Sequence, residues 1–289
     1  MSGHHRGSIC SRGQLSDTLG PVSYDSVPGV EMALAEGVLR LQLSRPAKRN
    51  ALDDSMMYAL IDAVDAAGRD EAVRAIVLSG EGDDFCSGFD IIARNAEGGA
   101  KPRVGSLQRR LPSHANRLVP LVMSVQTPVV CAVRGWAAGI GLDLALAADF
   151  TVATHDAKFW APFTQRGFTA DSGSTWMLPR RIGEVRAREM LELSRVVSGR
   201  EAADWLMIHQ SVADDELDDA VEEIVGRLAR SATVALGLTK WLQHAGAQAT
   251  LDAHLRNEAF AMELSSRSED FRIGMKALVD KTDPDFTGR

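Results

Sequence analysis

Cysteine, long apolar runs and excess positive charge are all scarce in this chain of 289 residues. Three cysteines, Cys10, Cys86 and Cys131, are too few for a disulfide framework, so the sequence predicts a reducing, cytoplasmic setting. No segment approaches the apolar length of a membrane-spanning helix, and residues 1–28 lack the apolar region of a secretory signal. We therefore expect no membrane partner, and a disordered leader over residues 1–28.

Signals of nucleic-acid, nucleotide and metal sites are missing as well. The formal net charge of -7 argues against a nucleic-acid binder, which would present a basic face. There is no glycine-rich dinucleotide motif, Walker loop or paired Cys-x-x-Cys, and the histidines show no metal-ligand spacing. We therefore expect no nucleic-acid partner, no metal and no permanently bound cofactor.

The first half of the chain alternates between strand and helix patterns. Val30–Ala35 and Val38–Leu43 predict a hairpin, and the apolar residues of Ala51–Ala67 recur at helical spacing. The short apolar run Val73–Leu78 predicts a parallel strand. This alternation indicates an α/β fold, whereas the pattern from Gly183 onward is almost all helical.

Two glycine-containing turns carry the clearest functional signal. Pro128–Val133 predicts a buried strand, followed by a small-residue turn at Gly135–Gly141 and a short apolar helix. Glycine lets the backbone approach a ligand closely, and the N–H groups at the start of a helix favour negative charge. A second turn, Phe85–Asp90, also follows an apolar strand. Together the two turns predict an oxyanion hole assembled from two loops.

The residues of both turns resemble the signature loops of the crotonase superfamily, the enoyl-CoA hydratases and isomerases. Asp84–Asp90 is Asp-Phe-Cys-Ser-Gly-Phe-Asp, and Pro128–Asp143 contains Gly-Trp-Ala-Ala-Gly-Ile-Gly-Leu-Asp. The resemblance covers roughly Val30 to Asp280. Further segments are similar to the family's landmarks, in the same order: Arg45–Leu52, Leu178–Gly183, Ser198–Ala203 and Ala235–Lys240.

This resemblance implies an architecture and a substrate. It implies a crotonase-like spiral core of ββα units over residues 29–197 and a helical C-terminal trimerisation region over residues 198–289. It also implies a homotrimer, or a hexamer built as a dimer of trimers, and a coenzyme A thioester as substrate. The sequence itself indicates only amphipathic helices that need partners.

Two acids are candidates for catalysis. Asp143 lies one turn into the apolar helix, where it is either a carboxylate favoured by the helix dipole or an acid with a task. Asp171 is either the N-cap of a following helix or a functional acid. The resemblance favours function for both. Hydratases and dienoyl-CoA isomerases carry an acid at the first position, and several isomerases and a dehalogenase carry one at or near the second.

One departure from the family distinguishes hydration from isomerisation. Typical hydratases carry a second glutamate twenty positions after the first acid, which is Phe163 in this chain. Syn hydration needs a water held between two carboxylates, and phenylalanine can neither remove nor supply a proton. Proton transfer along an acyl chain needs an enolate held by N–H donors and one or two carboxylates. We therefore expect isomerisation, with Asp171 as the principal proton shuttle and Asp143 as the second acid.

The remaining site residues surround these acids. The expected oxyanion donors are the backbone N–H groups of Phe89 and Ile140. Four aromatic residues, which are otherwise core candidates, form the expected acyl pocket: Trp160, Phe163, Phe168 and Trp176. The resemblance implies coenzyme A contacts from six further residues: Lys48, Arg49, Ser87, Asp90, Ile91 and Lys240.

Three alternatives stay open at this point. A hydratase would use Asp143 and Asp171 together to hold the water. A hydrolase or dehalogenase would use Asp171 as a nucleophile. A non-catalytic acyl-CoA-binding protein would keep the fold without turnover. A fatty chain, an aromatic acid and a steroid fragment are all candidate acyl groups.

Overall fold

The computed structural model describes residues 22–91 and 103–289, which form a mixed α/β core followed by helices. The strands of these residues are β1 (Val30–Ala35), β2 (Val38–Leu43), β3 (Ala75–Gly80), β4 (Val129–Val133), β5 (Trp136–Ala138), β6 (Phe150–Thr154), β7 (Lys158–Trp160), β8 (Val197–Ser198) and β9 (Gln210–Val212). The helices are α1 (Asp54–Ala67), α2 (Ser106–Arg110), α3 (Ala115–Ser124), α4 (Ile140–Ala147), α5 (Ser174–Leu191), α6 (Gly199–Asp204), α7 (Leu217–Ala229), α8 (Thr233–Gly246), α9 (Leu251–Ser265) and α10 (Glu269–Asp280). Most of the predicted leader lies outside the described residues.

The main sheet has the strand order β1-β2-β3-β4-β6-β9. Its β1–β2 pair is an antiparallel hairpin, as predicted, and the other pairs are parallel. Glu36 and Gly37 at the hairpin turn have φ values of 51° and 77°. Positive φ at both central residues gives the turn a twist that matches the strands, so this short Glu-Gly segment is sufficient to reverse the chain.

Both faces of the main sheet are covered. One face packs against α7 through a cluster that includes Val77, Val130 and Val225. The other belongs to the larger core, which includes Leu78 and Cys131 together with Leu60 of α1 and Leu118 of α3. Parallel strands that are buried on both faces have continuous apolar sequences, and this explains the run Val129–Val133.

The region after residue 197 contributes strands as well as helices. β8 pairs with β7 in a second sheet of order β5-β7-β8, and β9 lies at the edge of the main sheet beside β6. Ser198 caps α6 in a capping box with Glu201. The helical C-terminal region therefore also completes the core sheet.

The last residues of the chain return to the core. Buried Asp270, in the first turn of α10, accepts hydrogen bonds from the backbone N–H groups of Thr287 (2.7 Å) and Gly288 (2.9 Å). The guanidinium group of Arg74 donates to the carbonyl of Phe286 at 3.2 Å. These contacts tie the end of the chain to the first turn of α10 and to the core. No helix among the described residues is long and apolar enough to cross a membrane.

The two glycine turns lie at one edge of the main sheet. The first glycine loop (Phe85–Asp90) follows β3, and the second glycine loop (Gly135–Gly141) follows β4 and contains β5. β3 and β4 are adjacent and parallel, so both loops leave the carboxyl ends of their strands side by side. Open parallel sheets commonly bind ligands at this edge.

Candidate active site

The first glycine loop is held by the turn that follows β2. The fully buried side-chain amide of Asn50 donates to the carbonyls of Glu81 (3.0 Å) and Asp84 (2.6 Å). Its carbonyl accepts from the backbone N–H of Arg45 at 2.8 Å. One side chain thereby ties the turn to both ends of the segment that leads into the loop.

The two glycine loops pair with each other like short strands. The backbone N–H groups of Phe85 and Cys86 donate to the carbonyls of Arg134 and Trp136, both at 2.8 Å. The N–H of Ala138 returns a bond to the carbonyl of Cys86 at 2.9 Å. The Asp84 carboxylate adds a side-chain bond by accepting the backbone N–H of Trp136 at 2.9 Å, so the two loops are fixed relative to each other.

Glycine makes the close approach of these loops feasible. A Cβ atom on Gly141 would lie 2.4 Å from the carbonyl oxygen of Cys86, and one on Gly88 would lie 3.2 Å from that of Ala138. Gly88 and Gly139 also have positive φ values, 109° and 55°, and the Cβ position of Gly139 is 3.7 Å from Cα of Gly88. Residues 88 and 139 are therefore direct neighbours across the two loops.

The two predicted oxyanion donors follow these neighbouring glycines. Ile140 is the first residue of α4, so its N–H has no carbonyl acceptor within the helix, and its side chain belongs to the buried core. Leu52 pairs with the first glycine loop through the carbonyl of Gly88 and the N–H of Asp90, both at 2.8 Å. Because N–H directions alternate along an extended chain, the N–H of Phe89 points away from Leu52.

Asp143 lies in the first turn of α4 and is completely buried. Neither of its carboxyl oxygens makes a hydrogen bond, and the nearby buried hydroxyl of Ser174 makes none either. Burial raises the pKa of Asp143 to about 7, the negative charge of Asp171 raises it further, and the Ser174 hydroxyl opposes part of this shift. A carboxyl group with this pKa can both donate and accept a proton near neutral pH.

Asp171 lies on the wall of a cavity of about 350 Å³ between α3, the start of α5 and the end of α8. The carboxylate is half-buried and accepts a hydrogen bond from the Ser172 hydroxyl at 2.9 Å. Asn116 and His244 add polar groups to the wall. The rest is mainly apolar: Val119, Pro120, Met123, Trp176 and Met177. Its volume falls in the range of about 300–1,000 Å³ that is typical of small-molecule sites.

The predicted aromatic pocket is only partly correct. Trp176 lines the cavity, but Trp160 donates its ring N–H to the carbonyl of Ser194 at 3.0 Å, in the second sheet. Phe163 is buried and packs edge-on against Phe168 at 5.8 Å, and neither ring is part of the cavity wall. Residues of α3, which the sequence analysis did not select, provide the apolar wall instead.

Three of the predicted coenzyme A residues lie close together. The backbone N–H of Ser87 donates to the carbonyl of Arg49 at 2.9 Å. The Ser87 hydroxyl donates to the backbone carbonyl of Lys48 at 3.2 Å. Lys48 and Arg49 are exposed beside the first glycine loop, and the Arg49 Nε lies 3.7 Å from the Asp84 carboxylate. Ile91, at the end of the loop, is 36% exposed. This group forms a cationic surface next to the proposed oxyanion donors.

The buried carboxylate of Asp90 has a structural partner rather than an open, ligand-facing position. It lies 3.2 Å from the guanidinium group of Arg45, which also donates to the carbonyl of Ala51 at 2.8 Å. The side chain therefore ties the end of the first glycine loop to the turn after β2. Direct binding of coenzyme A by this side chain does not fit these contacts.

The prediction that Lys240 binds coenzyme A is not supported by its position. Its buried ammonium group donates to the carboxylate of Asp149 (2.6 Å) and to the carbonyls of Val122 (3.1 Å) and Thr127 (3.3 Å). Burial lowers the pKa of Lys240, and Asp149 opposes this shift. The lysine fastens α8 to the core, so its charge is not available to a phosphate in solution.

Residues 33–289 match the model of the enoyl-CoA hydratase/isomerase family. The chain belongs to this family. It is 37% identical over 255 residues to the 1,2-epoxyphenylacetyl-CoA isomerase of Escherichia coli, which covers 88% of this chain and 96% of the relative. It is also 31% identical over 251 residues to the crotonyl-CoA hydratase of Syntrophomonas wolfei, and this match covers 86% of this chain and 94% of the relative.

Solved structures agree with the membership of this enoyl-CoA hydratase/isomerase family. An enoyl-CoA hydratase from Bacillus anthracis matches with a TM-score of 0.83 and 26% sequence identity, over 90% of this chain and 100% of that one. The predicted crotonase-like α/β fold and the assignment to the crotonase superfamily are thereby confirmed. The protein is an enzyme of this family, whose members act on coenzyme A thioesters. The described residues contain no cluster of three or more metal-ligating side chains.

Three residues of this family member were missed in the sequence. Asn50 follows Lys48-Arg49 directly, and its left-handed φ of 54° is typical of asparagine in a turn. Ser174 is the first residue of α5 and lies next to the buried Asp143. Asn116 of α3 lines the cavity. Asn50 could have been suspected from its turn, whereas the other two depend on tertiary contacts that no local pattern reveals.

Lys240→Met is expected to lower the free energy of unfolding by about 1–3 kcal/mol, because the partly buried Asp149 carboxylate loses its cation and the carbonyls of Val122 and Thr127 lose their donor. Urea unfolding near neutral pH measures this loss. Lys276→Met is the matched control, because Lys276 pairs with Asp280 on the exposed surface of α10, and such pairs contribute about 0–1 kcal/mol. Equal, small losses of stability in both variants would contradict the conclusion that Lys240 holds α8 against the core.

Asp143 is expected to make the stability of the protein depend on pH. Its pKa rises from 3.8 in the unfolded chain to about 7 on folding, so the folded state binds the proton more tightly. This favourable contribution is complete below pH about 4 and is lost as the pH rises through about 7. Asp143→Asn cannot ionise, so its melting temperature should increase relative to wild type between these limits. A difference that does not vary with pH would show that Asp143 ionises normally.

Proposed function

We propose that this enzyme isomerises an acyl-CoA thioester by moving a proton along the acyl chain through an enolate. The observation that carries the proposal is the pairing of Asp143, buried without a hydrogen-bond partner, with Asp171 on the cavity wall. The negative charge of Asp171 raises the pKa of Asp143, so the two carboxyl groups lie close enough to interact. Phe163, where hydratases carry their second glutamate, supplies no acid.

The proposed reaction uses both glycine loops. The backbone N–H groups of Phe89 and Ile140 hold the thioester oxygen while the acyl group enters the cavity beside Asp171. The Asp171 carboxylate removes a proton from the acyl chain, and the electron pair moves onto the thioester oxygen as an enolate. When the pair returns, a new carbon–hydrogen bond forms with the proton from Asp171 or Asp143, and the double bond has moved. Each oxyanion donor contributes about 3 kcal/mol to such a transition state.

The coenzyme A moiety is proposed to lie against the surface formed by Lys48, Arg49, Ser87 and Ile91. Exposed cations beside a backbone turn can hold phosphate groups while the thioester reaches the adjacent loops. Asp90 is paired with Arg45, and Lys240 is paired with Asp149. Neither residue is therefore part of the proposed coenzyme A contact. The acyl-CoA thioester is the substrate, and no permanently bound cofactor takes part in the proposed steps.

Deuterium incorporation separates isomerisation from hydration. The enzyme is incubated in deuterated water with trans-2-enoyl-, trans-3-enoyl- and dienoyl-CoA esters and with 1,2-epoxyphenylacetyl-CoA, since one relative is named for that substrate. Bond migration without the mass of an added water supports the proposal. Gain of a water that requires both Asp143 and Asp171 would identify a hydratase instead. Binding without turnover of any ester would favour the non-catalytic alternative.

We also propose a homotrimer or a dimer of trimers. The last two helices carry exposed large apolar side chains that a second copy could cover: Leu251, Leu255, Phe260, Met262, Leu264, Met275, Leu278 and Val279. Light scattering on the purified protein measures the molecular mass, and a monomer would contradict the proposal.

The cytoplasmic location stays a prediction, which the buried free thiols of Cys86 and Cys131 fit.

A further inference from the structure

His114 is buried between α1 and the first glycine loop. Only 8% of the residue is exposed, and it immediately precedes α3. Its ring meets that of Tyr58 edge-on at 5.6 Å and that of Phe89 edge-on at 5.4 Å. The histidine therefore contacts the side chain of the residue whose N–H is one of the two proposed oxyanion donors.

A carboxylate lies beside this ring. The Nε2 atom of His114 lies 2.9 Å from Oδ1 of Asp54, the first residue of α1. Aromatic pairs prefer an edge-to-face arrangement, and attraction between the imidazole and the carboxylate favours one rotation of the ring. Contact with Asp54 thus distinguishes His114 from an apolar ring of similar size, which would fill the space without a defined rotation.

Phe89 is held from two sides. Its neighbours Gly88 and Asp90 are hydrogen-bonded to Leu52, and its own ring is packed against His114. The hydrogen bond from Leu52 to the Gly88 carbonyl sets the side to which the N–H of Phe89 points, and the ring contact restricts smaller shifts of the same peptide unit. These shifts matter because a donor must lie about 3 Å from the developing oxyanion to stabilise it.

The same histidine is connected to the acyl cavity. Its carbonyl accepts the backbone N–H groups of Arg117 (2.9 Å) and Leu118 (3.2 Å), which begin α3. That helix forms the cavity wall through Asn116, Val119, Pro120 and Met123. One residue therefore joins the wall that contacts the acyl group to the loop that would hold the thioester oxygen.

We infer that His114 is a positioning residue that aligns the Phe89 N–H with the thioester oxygen, with Asp54 fixing its ring. This inference rests on the oxyanion role given to Phe89 in the proposed function. A misplacement of about 1 Å at such a donor can cost about 100-fold in rate. We expect His114→Phe and Asp54→Ala, which both break the nitrogen–carboxylate contact but leave a ring beside Phe89, to lower kcat by about 10- to 100-fold. KM should change little.

The direct readout is the infrared carbonyl stretch of bound hexanoyl-CoA labelled with ¹³C at the thioester carbon. Hydrogen bonds to the carbonyl lower this frequency, and a saturated ester binds without reacting. The matched control is His209→Phe, because the His209 ring also meets a phenylalanine edge-on, Phe150 at 5.2 Å, outside the proposed site. Wild type and His209→Phe should lower the frequency equally, and His114→Phe and Asp54→Ala should lower it less.

Two outcomes overturn the inference in different ways. If wild type lowers the frequency and both His114→Phe and Asp54→Ala lower it equally, with unchanged kcat, His114 has only a packing role, whatever its effect on melting temperature. If wild type itself leaves the frequency at its value in solution, the oxyanion assignment and the inference fail together. Because two variants on different elements test one contact, misfolding of either leaves the other informative.

Discussion

Asp171→Asn is expected to lower kcat by about 10²- to 10⁴-fold while acyl-CoA binding is nearly unchanged, since the amide keeps the shape of the cavity wall but cannot remove a proton. Steady-state kinetics on the best ester and calorimetric binding of a saturated acyl-CoA measure the two effects. The exposed Asp62 on α1 provides a matched Asp→Asn control, which should retain full activity. Wild-type kcat in Asp171→Asn would exclude Asp171 as the proton shuttle.

The residual activity of Asp171→Asn carries a second signature. In wild type, the negative charge of Asp171 contributes to the raised pKa of Asp143. Its removal should lower that pKa, so the pH profile of the remaining activity should shift to lower pH.

Mass spectrometry of the wild-type protein during turnover addresses the nucleophilic alternative. A covalent adduct on Asp171 would replace proton transfer by displacement chemistry.

Gly141→Ala is expected to separate the glycine loops and lower kcat by about 10²- to 10³-fold, the effect of losing one oxyanion donor. The added methyl group would lie 2.4 Å from the carbonyl oxygen of Cys86 and 2.8 Å from its Cβ, and this backbone cannot move aside without breaking the pairing with Ala138. Overpacking should also lower stability by about 1–3 kcal/mol. Kinetics and thermal unfolding are both measured.

Gly226→Ala is the control for this helical glycine. Gly226 lies within α7, and a Cβ atom there would meet only the flexible end of Arg230, at 3.3 Å. Alanine should stabilise that helix by about 1 kcal/mol and leave kcat unchanged. A Gly141→Ala enzyme with wild-type kcat would mean that the loops tolerate a wider spacing than their contacts indicate.

The hairpin, the first helix and the parallel strands of the core could be predicted because their signals are local. β1 and β2 have the predicted bounds, because the sequence shows both the Glu-Gly turn and the alternating apolar residues of the two strands. α1 ends at the predicted residue and begins at Asp54, three positions later than predicted, because Asp53 caps it by accepting the N–H of Met56. β8 and β9 are two and three residues long, and their pairing partners are distant, so no periodicity indicates them.

The site residues follow the same division. The acids and the glycine loops were predicted from motifs that combine residue type and spacing. Lys240 was not assigned correctly, because a lysine on an amphipathic helix resembles a solvated charge, and its partner Asp149 lies on another element. Only Trp176 of the four expected pocket aromatics lines the cavity, and the sequence does not show which rings α3 leaves accessible. Burial and long-range pairing decide these positions.

Both oxyanion donors proposed here are main-chain N–H groups on two loops that are hydrogen-bonded to each other. Any residue except proline supplies such a donor, so isoleucine at position 140 can serve in this role. Carboxyl groups, by contrast, are gained or lost through a single codon. In the proposed mechanism, the fold supplies the activation of the thioester, and the positions of the acids decide where the enolate receives its proton.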